Sequence, residues 1–197
     1  AWCLCDSPLL LLALVKAGVS YEEYSKQGVE FLAGLPQMPG YPCTVSKELG
    51  KFRGPGRKDD CCPNATLSML RLFAELPEYR DTALVNKNID ALLLLWESSR
   101  ERHPYMFYMG TDFRKLKAPA MWYDIVSVAD CLSRFEYAKK DIRFQEMLAI
   151  SKEKQTEDGL FIPEAVYQKC KGWDFGQKKV PSPYLTYLCT VILERTK

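Results

Sequence analysis

Histidine is nearly absent from this chain, net charge is close to zero, and no apolar run is long. The one histidine, His103, follows an outer-type helix and reads as a cation near a helix C-terminus, so histidine-based metal sites are excluded. Lys and Arg number 27 against 25 Asp and Glu, a net charge of +2, which excludes binding nucleic acid through bulk charge. The longest apolar stretches, Leu9–Val15 and Ala91–Trp96, are too short to span a membrane, and no basic-then-apolar leader precedes them. A cytoplasmic location is the resulting expectation. Ala1 is not an initiator residue, so the sequence reads as one domain, residues 1–197, either processed or cut from a longer chain.

What is present is core. Of the 197 residues, 47% are hydrophobic and 12% aromatic, which excludes disorder and supports one substantial domain. Prolines at helix starts reveal the organisation. Pro8, Pro63, Pro119 and Pro183 each open an apolar run of roughly four helical turns. Ser7 and Ser182 precede two of them as suitable N-caps, and Gly18 is a natural stop for the first.

Between these runs lie segments of another texture. Ser20–Leu35 opens with Ser20 and Glu23 at capping-box spacing and is halted by Pro36. Asp81–Arg100 places Val85, Ile89, Leu92, Leu93 and Trp96 on one helical face, and Asp141–Lys154 does the same with Ile142, Phe144, Met147, Leu148 and Ile150. Runs that are apolar nearly all round, alternating with one-sided helices, suit an inner and an outer layer. The expected fold is all-α: a curved or closed α/α array of about three and a half helical hairpins.

Loops repeat as well. Asp112-Phe113-Arg114-Lys115-Leu116-Lys117-Ala118-Pro119 matches Asp174-Phe175-Gly176-Gln177-Lys178-Lys179-Val180-Pro181 in its Asp-Phe pair and in the Lys two before the proline. Arg114, Lys115, Lys178 and Lys179 are then either a solvated rim or an anion site backed by helix N-termini.

Gln155-Thr156-Glu157-Asp158-Gly159-Leu160-Phe161 follows an outer helix and is similar to the Gln-x-x-x-Gly-x-Trp repeat of squalene-type cyclases, with Phe in place of Trp. A looser copy, Gln37 with Gly40-Tyr41, follows the first outer helix. With the hairpins, the chain resembles the terpenoid cyclase and protein prenyltransferase superfamily of α/α toroids. That resemblance implies a partial or open toroid in which these motifs staple neighbouring helices. The superfamily's catalytic signatures are missing: there is no Asp-x-Asp-Asp, Asp59-Asp60 lacks its third carboxylate, and the prenyltransferase zinc site uses Asp, Cys and His, whereas the one histidine, His103, follows an outer helix in the layer away from the cavity.

Asp124, set in Pro119's apolar run, is the candidate catalytic or anchoring acid, because burying a carboxylate is costly unless it is hydrogen-bonded or faces a wet cavity. Trp122 and Tyr123 beside it would line an aromatic pocket. The alternative is that Asp124 bonds a helix end and the aromatics are core. Thr66 and Thr186, each three residues after their helix proline, read as capping and interhelix bonds.

Eight cysteines are too few for a disulfide scaffold, and none forms a Cys-x-x-Cys pair. Cys131 and Cys189 read as buried thiols. In the hairpin register Cys3, Cys5, Cys61 and Cys62 converge, with Cys43 in the connecting loop. Zinc or an iron–sulfur centre is one reading of them, and reduced thiols the other.

Three functions stay open. The leading one is binding, and in the fuller form transforming, an amphipathic isoprenoid-like anion in an aromatic cavity with a basic rim. The others are a non-catalytic helical-repeat module for a partner protein and a cysteine-ligated metal protein. No opposed carboxylate pair supports a carbohydrate-active barrel.

Overall fold

The structure is a computed structural model, and it describes residues 1–50, 60–101, 104, 107–121, 123–173 and 177–197. The described residues are mainly helical, with one two-stranded parallel pairing, so the all-α expectation holds. Contacts divide the chain into two compact units, Ala1–Tyr108 and Met109–Lys197.

In the first unit, α1 (Ser7–Lys16) leads through a π-helical turn (Tyr21–Ser25) into α2 (Lys26–Ala33), followed by α3 (Pro63–Phe73) and α4 (Ala83–Glu97). Helix α3 packs between α1 and α4, and all its residues except Asn64 and Arg71 are buried. Leu67, Met69, Leu70, Leu72 and Phe73 are at most 1% exposed, each contributing about 1.5–3 kcal/mol by leaving water. Pro63 stands at its first position, where the missing N–H costs nothing. Helix α4 is capped by Thr82, whose hydroxyl accepts from Val85 N at 3.3 Å, and buries Val85, Ile89, Leu92, Leu93 and Trp96 as their spacing predicts.

The second unit contains β1 (Lys117–Ala118), α5 (Ile125–Leu132), the short α6 (Glu136–Lys139), α7 (Ile142–Lys152), β2 (Ala165–Val166) and α8 (Pro183–Arg195). Helix α5 packs on α7 and α8 and buries every one of its residues except Asp130. Arg195, in the last turn of α8, pairs with that Asp130 at 2.7 Å.

Several expectations are corrected. The run at Pro119 is not a helix start: Lys117–Ala118 pairs with Ala165–Val166 as a strand, and α5 begins only at Ile125, after Asp124. An aspartate caps a helix far better than Ala118 would. The capping box at Ser20 does not form; Ser20 lends its backbone carbonyl to Tyr24 N instead, at 3.1 Å. Helix α1 begins at Ser7 with Asp6 before it, and the Ser7 hydroxyl accepts from Cys3 N at 3.2 Å. Ile142 opens α7 and is exposed, while Phe144, Met147 and Leu148 on the same helix are buried. Two of the four proline-led runs are less buried than their all-round apolar sequence predicts. Pro8 is the one buried residue of α1, and α8 buries a single stripe of Leu185, Cys189 and Ile192.

One local arrangement occurs in both units. In the first, Tyr41 N donates to the Thr66 hydroxyl at 3.0 Å, and Cys62 N donates to Tyr41 O at 2.7 Å. In the second, Phe161 N donates to the Thr186 hydroxyl at 2.9 Å, and Ser182 N donates to Phe161 O at 3.0 Å. Every residue of one lock lies 120 positions from its counterpart. Both aromatic side chains are fully buried, and both locks engage the first turn of a helix with proline at its start. The loops thus satisfy helix N-termini that would otherwise leave polar groups orphaned. Thr66 and Thr186 bond the preceding loops through their hydroxyls, while the caps of α3 and α8 are Cys62 and Ser182.

Candidate functional site

Asp124 is the residue on which the sequence places most chemical weight. It is fully buried and caps α5: Oδ1 accepts from Ser127 N at 2.8 Å, and Oδ2 accepts from the Tyr167 hydroxyl at 3.1 Å. Burial raises its acid pKa above the usual carboxylate range, against the pull of the Ser127 amide, the Tyr167 hydroxyl and the Lys117 ammonium. Its charge, with burial as the larger cause, pushes the Cys189 thiol up to about 12. Both oxygens therefore serve the helix end and the segment after β2. None of the three clefts described below is lined by Asp124.

Beside it, Tyr123 packs against another aromatic ring. Tyr123 is 5% exposed, its ring centroid 5.4 Å from that of Phe113. Trp122 lies outside the described residues, as do His103 and Asp174. The loop ahead of Asp124 is pinned by partners that no sequence pattern announces. Leu116 N donates to the Glu164 carboxylate at 2.7 Å, and the Lys154 ammonium reaches both Arg114 O, at 2.6 Å, and Glu164. Lys117, its ammonium over the Tyr167 ring, pairs with Asp112 at 2.7 Å. Glu164 lies 48 residues from Leu116 and Lys154 lies 40 from Arg114, with no spacing that could reveal them.

The predicted basic rim comprises Arg114, Lys115, Lys178 and Lys179. Arg114 Nε donates to Met109 O at 3.5 Å, and Lys115 pairs with Asp112, also at 3.5 Å. Lys178 and Lys179 are exposed on the segment leading to α8, with Lys179 at a left-handed φ of +76°.

The cysteines behave differently. Residues 2–5, 41–46 and 60–62 run side by side in the first unit. Leu4 N donates to Thr44 O at 3.2 Å and Ser46 N to Trp2 O at 2.9 Å, while Pro42 pairs with Cys61. The Ser68 hydroxyl of α3 fastens Cys5 O at 3.2 Å. Cys3, Cys5 and Cys62 are thereby joined in a chain of thiol hydrogen bonds, with Cys43 close enough to act on Cys62 electrostatically. The chain ends on the first turn of α3, where Cys62 Sγ accepts from Ala65 N at 3.5 Å. The Cys5 hydrogen bond lowers the Cys62 pKa against the effect of burial, with help from the Ala65 and Asn64 amides. The same bond, followed by desolvation, raises Cys5. Cys61, expected in this group, instead lines a cleft of about 100 Å³ with Pro39, Asp60 and Leu94. Among the described residues no group of three or more His, Cys, Asp or Glu is placed to hold a metal ion, so the zinc or iron–sulfur reading gains no geometry.

Between α7 and α8 lies an open cleft of about 460 Å³, with Leu148, Ala149 and Leu193 among its lining residues and Lys152 and Lys197 at its edge. A third, of about 10 Å³, is a packing gap under Cys189 and Phe161. Helix α1 exposes Leu9, Leu10 and Leu14 at 36%, 68% and 39%. Among the described residues no helix is long and apolar enough to cross a membrane. No family model matches the chain, and neither a curated protein nor a solved structure matches it.

Proposed function

We propose that this chain is a partial α/α toroid, of the kind its glutamine–aromatic motifs resemble, and that it serves as a protein-interaction module. Helix α1 takes an amphipathic helical hairpin supplied by a partner protein. The observation that carries this reading is the apolar surface of α1. Its sequence is apolar nearly all round, yet only Pro8 is buried, and three leucines face water. Helix α3, which also opens with proline, is covered on both sides by α1 and α4. Helix α1 packs on α3, α2 and the π-helical turn yet leaves Leu9, Leu10 and Leu14 exposed, and an exposed apolar patch rimmed by polar residues is the usual mark of a docking face. A further hairpin of the same geometry would cover it by the packing that already joins α1 to α3.

The double variant Leu10→Glu/Leu14→Glu tests this. Both side chains are exposed, so the circular dichroism spectrum and Tm should stay as in the parent. Cross-links between α1 and a partner helix, present with the parent chain in native extract, should disappear. Retention of the same cross-links by the variant overturns the reading.

A second reading, binding of an amphipathic anion, draws on the α7–α8 cleft. Its volume lies within the range of small-molecule sites, and it sets lysines beside an apolar floor. Calorimetric titration with a prenyl diphosphate, on the parent and on Lys152→Glu, decides it: no heat with the parent ends that reading.

A further inference from the structure

The two locks differ at one chemically telling position. Ser182 caps α8, its hydroxyl accepting from Leu185 N at 3.2 Å, whereas the same position before α3 is Cys62. Serine is among the preferred N-caps and cysteine is not. Capping alone therefore does not account for a thiol at this place, least of all one with Cys5, Cys3 and Cys43 brought to it on two other backbone segments.

We propose that Cys62 and Cys5 are a hydroperoxide-reactive dithiol, with Cys62 the attacking sulfur and Cys5 the resolving one. The lacing of residues 2–5 to 41–46, the bond from Ser68 to Cys5 O and the Tyr41–Cys62 bond hold the segments that carry the two thiols side by side before any oxidant arrives. The first turn of α3 points an amide at Cys62, Ala65 N donating to its Sγ at 3.5 Å, which favours ionisation of Cys62 over Cys5. Cys62 is 6% exposed, which favours an oxidant as small as hydrogen peroxide over bulky disulfides.

The chemistry closes in two steps. The Cys62 thiolate attacks one peroxide oxygen, the O–O bond breaks, and the departing hydroxide takes up a proton from solvent as water, leaving Cys62 as a sulfenic acid. Cys5 gives up its proton and attacks Cys62 Sγ; the S–O bond breaks, and the hydroxide leaves with that proton as a second water. Two thiols have lost two electrons and one peroxide has become two waters. Cys3, hydrogen-bonded to Cys5, remains a thiol.

Hydrogen peroxide added to the reduced 197-residue chain should remove two hydrogens from the intact mass, and peptide mapping should find the Cys5–Cys62 link. Cys5→Ser should stop the reaction at a Cys62 sulfenic acid that dimedone traps. Cys62→Ser, which keeps a good cap as Ser182 does, should slow thiol loss by roughly tenfold or more. Oxidation reaching Cys43, Cys61 or another thiol before the Cys5–Cys62 pair overturns the proposal. So does a Cys62→Ser variant with native circular dichroism that is oxidised at the parent rate.

Discussion

Tyr41 with Thr66 and Phe161 with Thr186 are the same lock built twice, and its two copies differ in how tightly the neighbourhood closes over them. In the first unit Thr66 is fully buried and bonds both Tyr41 N and Cys62 O. In the second, Thr186 is half-buried, on a helix whose outer face is exposed. The glycines differ likewise. A Cβ on Gly40, at φ +88°, would meet Thr66 Oγ1 at 2.9 Å, Ala91 Cβ at 3.0 Å and Cys61 Cβ at 3.1 Å, whereas one on Gly159, at φ +79°, would meet only Gln155 Nε2 at 3.5 Å. The backbone bonding is shared and the packing is not. Hydrogen-bond geometry belongs to the repeat, while burial is set by what covers each copy.

The sharpest way to break this comparison is to add the methyl group. Gly40→Ala adds left-handed strain of about 1–2 kcal/mol to overpacking of about 1–3 kcal/mol. Gly159→Ala should cost the strain alone. The two urea midpoints should separate clearly, and equal losses would mean the first lock is no tighter than the second.

A smaller effect comes from the threonines. Thr66→Val strands a buried Tyr41 N–H and should cost about 1–3 kcal/mol; Thr186→Val, where water can replace the hydroxyl, should cost under about 1 kcal/mol. Urea unfolding of the two variants measures this.

The smallest effect concerns pH, within the second unit. Asp124 has its pKa raised by burial, so it costs stability progressively as pH rises from the unfolded carboxylate value through its folded value. Asp141, bonded by the Arg143 guanidinium, has a lowered pKa, and its contribution is present above the unfolded value and lost as pH falls through the folded one. Parent stability minus that of Asp124→Asn should therefore fall with rising pH, and the same difference for Asp141→Asn should rise. Urea unfolding across about pH 2 to 7 checks both signs.

Much of this was legible in the sequence. Pro63 and Pro183 mark helix starts because proline costs least at the first helical position, and the same register brings Cys5 and Cys62 together. Thr66 and Thr186 could be paired by their offset from those prolines. Pro119 misleads because proline also follows a strand, and the pairing of Lys117–Ala118 with Ala165–Val166 is a contact between segments 48 residues apart with no local signal. Asp124 shows the limit most clearly. The expense of burying a carboxylate is visible in the sequence, but the helix start and the Tyr167 hydroxyl that offset it are not. Exposure is equally hidden: α1 and α3 look alike as strings and differ in what lies against them.

The measurement that tests the repeated lock most directly is amide hydrogen exchange at Tyr41, Cys62, Phe161 and Ser182. All four amides lie outside helix interiors, and each donates to its lock partner. They should exchange as slowly as amides within α3 and α8, with Thr66→Val freeing Tyr41 and Thr186→Val freeing Phe161, each without touching the other. Exchange of these four at the rate of an open loop would contradict the account.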